Sequence, residues 1–198
     1  MTSTGTTATT SDTTTSTLGH AFGVGSVLTA LGSLGYISLN FVGSAREAYA
    51  HPLGVVAGVI ATTGVVILAM ALMRWRTAIP GWAVIAGAVA MVGAAIGIWF
   101  WSVGIFGIAN DTDDVLFEEL AWSPWIIFGM YAPKIVFGVI GFGGLAIAGW
   151  RTRAIPRLAC GAFGLAALLS IFPPHPPALL LASLGMFLIS RQAPERRQ

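Results

Sequence analysis

A chain of 198 residues that is 56% hydrophobic and only 9% charged is excluded from the soluble globular class, where about a quarter of residues carry charge. Its mean hydropathy of +0.81, with polar segments too short to fold alone, predicts an all-α integral membrane protein built as one polytopic bundle. The net charge is only +2, and the one cysteine, Cys160, excludes an intramolecular disulfide and a cysteine metal cluster within a chain.

Residues 1–17 hold ten Thr and three Ser with a single charge, a composition that buries too little apolar surface to offset the entropy of ordering. They are expected to form a disordered Thr/Ser-rich cytoplasmic tail. No Lys or Arg occurs before Arg46, so the first apolar run lacks the basic flank of a secretory signal and is expected to remain as a membrane helix. A single transmembrane helical domain should follow over 18–191, then a short basic cytoplasmic tail over 192–198.

Apolar runs lie at 20–43, 53–73, 81–104, 125–149, 155–172 and 177–190, and crossing the hydrocarbon takes roughly 20 residues. The first four meet that length and the fifth is marginal. The sixth, of 14 residues, reaches only about 21 Å at about 1.5 Å per residue. The pattern predicts about six transmembrane helices, the sixth short.

Charge fixes the expected orientation, because short cytoplasmic loops collect Lys and Arg. Arg74 and Arg76 separate runs two and three, Arg151, Arg153 and Arg157 separate runs four and five, and Arg191, Arg196 and Arg197 follow run six. Arg46, Glu47, Asp111, Asp113, Asp114, Glu118 and Glu119 fall in the alternate connections, as does the PPHPP turn at 173–177. Both termini are therefore expected in the cytoplasm, with the chain in a plasma membrane. Trp75, Trp82 and Trp150 sit at the basic ends of the runs, and Tyr49, Trp99, Trp101, Trp122 and Trp125 at the acidic ends, as interfacial aromatic belts do. Arginine outnumbers lysine nine to one beside abundant Ala, Gly and Val, a usage that points to a GC-rich prokaryotic genome.

The turn after run two reads WRTAIP (75–80) and the turn after run four reads WRTRAIP (150–156). Runs two and three would then correspond to four and five as a parallel duplicated hairpin. The same residues also suit any cytoplasmic turn, with Trp as anchor, Arg for topology and Pro at a helix start. Small residues recur four apart at Gly54 and Gly58, Ala57 and Ala61, Ala86, Ala90 and Ala94, Gly93 and Gly97, and Gly144 and Ala148. Such spacing lets membrane helices approach closely. Packing within the chain is the favoured reading, and a homodimer seam the alternative.

The stretch 110–150 carries five of the eight carboxylates and the only lysine, Lys134, directly after Pro133. Ser123 before Pro124 is a helix-start signal, with the hydroxyl expected to cap free amides. Pro133 cannot donate to the carbonyl of Gly129, so the helix must kink or stop there. Two arrangements follow. Either Trp125 to Trp150 is one kinked span with Lys134 inside the membrane, or residues 113–132 are interfacial and Lys134 snorkels to water from a span starting at Pro133. The second costs less, since a lysine at a helix centre costs about 2.5–3.5 kcal/mol. The first matches the broken helices from which transporters build midplane sites.

Asp111, Asp114 and Glu118 are candidates for attracting a cation or pairing with Lys134 or Arg46, though ordinary loop solvation is the simpler account. His51 and His175 lie in the acidic-side connections. With one acid they would make at most a minimal metal site, and no haem pair faces inward from helix interiors. No cofactor is expected, and nucleotide loops, catalytic elbows and zinc motifs are missing. The tripeptide SPW at 123–125 resembles the signature of a bacterial family of small membrane hairpins; three residues of 198 imply no activity. The leading expectation is a non-enzymatic accessory or interaction subunit, partnered by the lipid bilayer, another membrane protein or a second copy, and not by nucleic acid. The alternative is a small-solute carrier using Lys134 near a broken fourth helix, with a membrane-embedded enzyme third. The first two separate on whether Lys134 faces a polar cavity or the interface.

Overall fold

The computed structural model describes residues 9–39, 41, 43–75, 79–172 and 176–192, and among them every regular element is helical. In chain order these are α1 (Thr9–Leu39), α2 (Ala45–Ala50), α3 (Pro52–Arg74), α4 (Gly81–Trp99), α5 (Ile105–Asp111), α6 (Asp114–Ala121), α7 (Pro124–Ile126), α8 (Ala132–Thr152), α9 (Arg157–Leu169) and α10 (Pro176–Gln192). Two π-helical turns, Phe100–Gly104 and Ile127–Tyr131, join α4 to α5 and α7 to α8 without a break. Four stretches are long and apolar enough to cross a membrane: Thr17–Leu39, Pro52–Arg74, Gly81–Asp111 and Pro124–Thr152. The fifth and sixth expected helices are present but shorter, at 13 residues for α9 and 17 for α10.

Punctuation in the sequence sets most boundaries. Pro52 sits in the first turn of α3, where its missing N–H costs nothing, and His51 Nδ1 accepts the Leu53 N–H at 3.2 Å. Pro124 likewise opens α7, but the Ser123 hydroxyl makes no capping bond, contrary to expectation; its extended backbone alone ends the preceding turn. The first helix begins at Thr9, inside the stretch expected to be tail, because extending an apolar helix by a few turns costs far less than nucleating one.

α1, α3, α4, α8, α9 and α10 close into a ring in that order, each packed against the next and α10 against α1. Small residues make the approach close. A Cβ on Gly32 of α1 would lie 2.5 Å from Ala57 O and Ala61 N of α3, and one on Gly141 of α8 would lie 2.5 Å from Ala86 O of α4. The spaced Ala and Gly residues thus serve seams within the chain at Ala57, Ala61 and Ala86.

The ring interior is filled by Leu68, Leu72, Met91, Leu145, Phe163 and Met186, all fully buried. At the arginine-rich end, Pro80 and Pro156 precede α4 and α9 with nearly the same backbone angles, φ −55° and ψ 136° against φ −53° and ψ 139°. Ile79 and Ile155 before them are both buried. The two turns therefore end alike; residues 76–78 of the first lie outside the described residues. Moving two places around the ring takes α3 to α8 and α4 to α9 with helix direction preserved, as a parallel relation requires.

At the opposite end α2, α5 and α6 form a cap around a second small core of Trp101, Ile105, Ala109 and Phe117, with Tyr49 and Tyr131 against it. Ser44 and Glu47 make a capping box that starts α2. Arg46 ties the cap together: its Nε donates to Asp114 Oδ1 at 2.5 Å and its Nη1 to Ala109 O at 3.0 Å.

Candidate functional site: a lysine-bearing cavity

Pro133 neither stops the helix nor leaves it simply kinked. The Ala132 N–H reaches back five residues to Ile127 O, so the turn widens where the proline would have left a carbonyl unpartnered. A matching bond joins the Ile105 N–H to Phe100 O on the facing span. An inserted residue rotates everything beyond it by about one residue's turn. The residues that face inward include Trp101 from the first π turn, with Tyr131 from the second and Lys134 three residues beyond it in α8.

These residues line a cavity of about 300 Å³ in the capped end of the ring. Ser33, Tyr36 and Leu39 of α1 form one wall, Ala48 and Tyr49 of α2 the roof, and Ile98, Trp101, Trp122 and Tyr131 the side towards α6 and α7. Ala61 of α3 and Pro176 and Leu179 of α10 complete it. The Lys134 stem lies along α4 at Gly97, where a Cβ would stand 3.4 Å from its Cδ and 3.6 Å from its Nζ. Lys134 is thus partly buried and turned into the bundle.

Among the described residues, no carboxylate lines the cavity. The one close ion pair among them is Arg46–Asp114, so Lys134 has no acidic partner there. Asp111, Asp114 and Glu118 are exposed on the cap and are not brought to the lysine. Asp113 instead caps α6, accepting the Leu116 N–H at 2.8 Å. His51 is occupied in capping α3, and His175 lies outside the described residues. No group of three potential metal ligands occurs among the described residues.

The hydroxyls of the site are of two kinds. Ser102 Oγ donates to Ile98 O at 2.6 Å, so its hydrogen bond with Tyr36 must be donated by the tyrosine, whose proton is thereby committed. Ser33 is different. Ser26, Thr29, Ser102 and Ser170 each donate to the carbonyl four residues back. Ser33 is 1% exposed, lines the cavity and makes no such bond. A buried hydroxyl without a partner costs about 1–3 kcal/mol, so a group in the cavity would satisfy it. Burial raises the Tyr49 phenol above its usual value, so it stays protonated as a donor.

Aromatic rings make the rest of the wall. Tyr49 and Trp101 have ring centroids 5.2 Å apart, Trp101 and Tyr131 5.4 Å, and Trp122 stacks on Tyr131 at 6.4 Å. Trp101, expected in the interfacial belt, is 7% exposed and belongs to this interior set, because the π turn rotates it inward. Trp99 and Trp125 remain exposed on the outside, while Trp122, also exposed, stands at the cavity's edge and lines it. Of the cavity's polar groups, sequence reasoning singled out only Lys134. Ser33 and Tyr36 carried no signal beyond being polar residues late in an apolar run. Comparison of the chain with protein-family models, with curated proteins and with solved structures returned no match.

Proposed function

We propose that this chain is a multi-pass protein of a prokaryotic plasma membrane that binds and carries a small solute, with Lys134 as the charged contact. One observation carries the reading: the only lysine lines a cavity within the helical bundle, its stem lying along α4 at Gly97. An ionisable group held inside a membrane bundle is costly and persists where it meets a substrate or ion. The widened turns beside it support the same reading, since irregular backbone at membrane depth is tolerated where it lines a cavity and π turns concentrate at functional sites. An accessory-subunit role rests on missing motifs alone, whereas the cavity is a positive feature.

Carriage would require the cavity to open in turn to each side. The apolar core closes the arginine-rich end, and the Arg46-tethered cap covers part of the other, where the cavity is half open. Placing the arginine-rich end in the cytoplasm, with six crossings and both termini inside, agrees with the charge distribution. The test is solute-dependent stabilisation of the purified chain, screened across neutral, cationic and anionic small molecules, followed by uptake of any hit into proteoliposomes. Hits that lose their effect in Lys134→Met support the carrier. Co-purification of a stoichiometric membrane partner, with no solute effect, would favour the accessory reading instead.

A further inference from the structure

Resting on that carrier reading, we infer that the solute is an amphiphilic organic monoanion, a small apolar or aromatic monocarboxylate. Its head group meets Lys134, Ser33 and Tyr49, and its body lies against Trp101 and Trp122. Three observations converge on this class.

The first is charge. Among the described residues the cavity presents one lysine amine and no carboxylate. A buried ion is tolerated when it is paired and hydrogen-bonded, and a ligand with a single negative charge would supply the pairing that the described residues do not. A phosphate ester, carrying about −1.5 to −2 at neutral pH, would bring more charge than one lysine offsets.

The second is the donor set. Tyr36 has committed its proton to Ser102, while Ser33 Oγ is buried without a partner and Tyr49 stays protonated. Ammonium and free hydroxyls together make a site rich in donors, and a carboxylate accepts only. An amine would set a second cation beside Lys134, with no carboxylate among the lining residues to offset it.

The third is size and polarity. A single inorganic anion would leave most of about 300 Å³ unfilled. The cavity instead lies at the lower end of the range for organic ligands, about 300–1,000 Å³. The Tyr49, Trp101 and Tyr131 rings favour an apolar body, aromatic rings packing edge to face or offset against it.

The experiment uses the full chain in mild detergent and compares 3-phenylpropanoate with its neutral amide, the corresponding primary amine and phenylphosphonate, by calorimetric titration. The carboxylate should bind saturably. The amide should bind at least tenfold more weakly, the amine not at all, and the phosphonate, which gains its second charge between pH 6.5 and pH 8.5, should weaken over that range by a larger factor than the carboxylate. Lys134→Met should lose at least tenfold in carboxylate affinity while leaving amide affinity unchanged, and Ser33→Ala should lose a few-fold for the carboxylate alone. Amide or amine binding as tight as carboxylate would overturn the monoanion class and leave the carrier reading standing. Should none of the four bind to the folded wild-type chain, the monoanion class fails, and the carrier reading falls only if the wider solute screen is also negative. The four wild-type titrations decide between these outcomes even where a variant does not fold.

Discussion

Gly32→Ala tests the ring at its tightest seam. The added methyl would stand 2.5 Å from both Ala57 O and Ala61 N and 2.6 Å from Ala61 Cβ. Carbon atoms pack at about 3.5–4.0 Å, so α1 must withdraw from α3 by about 1 Å. No flexible side-chain end stands in the way to move instead, because two of the three atoms are backbone. Overpacking costs about 1–3 kcal/mol, and a rigid helix face belongs at the upper end. Replacing glycine in a helix returns about 0.5–1 kcal/mol, which leaves a net loss of about 2 kcal/mol. Gly161→Ala in α9 is the matched control, since nothing lies within 4 Å of its new methyl; only the helix term remains, and it should gain about 0.5–1 kcal/mol. Chemical denaturation of both variants in the same detergent should give opposite signs. Equal or greater stability for Gly32→Ala would refute the α1–α3 seam. Ser33 is the next residue along α1, so the same displacement should also weaken carboxylate binding.

Three further outcomes follow from the same geometry. Lys134→Met should leave thermal stability unchanged or raised in ligand-free protein. It removes an ammonium that costs about 2.5–3.5 kcal/mol at a helix centre and leaves no opposing charge behind among the described residues; a drop of several degrees would reveal an acidic partner. Asp114→Asn should cost under about 1 kcal/mol, because the Arg46–Asp114 pair is solvent-exposed on the acid side. It should nonetheless raise amide hydrogen exchange in α6, and unchanged exchange would show that Arg46 does not hold the cap. Reporter fusions after Gln198 and at Asp113 should lie on opposite membrane faces, with the Gln198 fusion cytoplasmic. Finding them on one face would mean that α9 or α10 does not cross.

The membrane class and the four long helices were legible because hydropathy and length decide them, and Pro52, Pro80, Pro124 and Pro156 mark helix starts that the structure retains. The position of the break at Pro133 was legible for the same reason. Its form was not, since a missing donor says where the hydrogen-bond ladder fails and not whether the chain kinks, stops or widens. The π turn at Phe100–Gly104 contains no proline and left no mark at all. That omission explains Trp101. A tryptophan near the end of an apolar run reads as an interfacial anchor, and only the rotation introduced by the π turn directs it inward. Ser33 was invisible for a different reason. Buried helical hydroxyls ordinarily bond the preceding turn, as Ser26 and Thr29 do, and sequence does not say which one will not.

The two π turns give the cavity its contents and also its weakness. Without them, Lys134 and Trp101 would lie on other faces of their helices. The span from Pro124 to Thr152 is the least buried of the four, and Trp125 just before the second π turn and Phe128 within it are both exposed. A wide turn has poorer hydrogen bonding and fewer neighbours than an α-helix, so local opening should start there, beside the lysine. An unpaired ammonium, an unsatisfied serine hydroxyl and a loosely packed turn each lower the stability of the empty protein. Each would be relieved by the one ligand proposed: its charge would pair with Lys134, its oxygen would meet Ser33, and its body would pack on the rings beside the π turn. The features that break the rules of a stable membrane bundle thus converge on one cavity, where departures from local consistency are expected when they serve function.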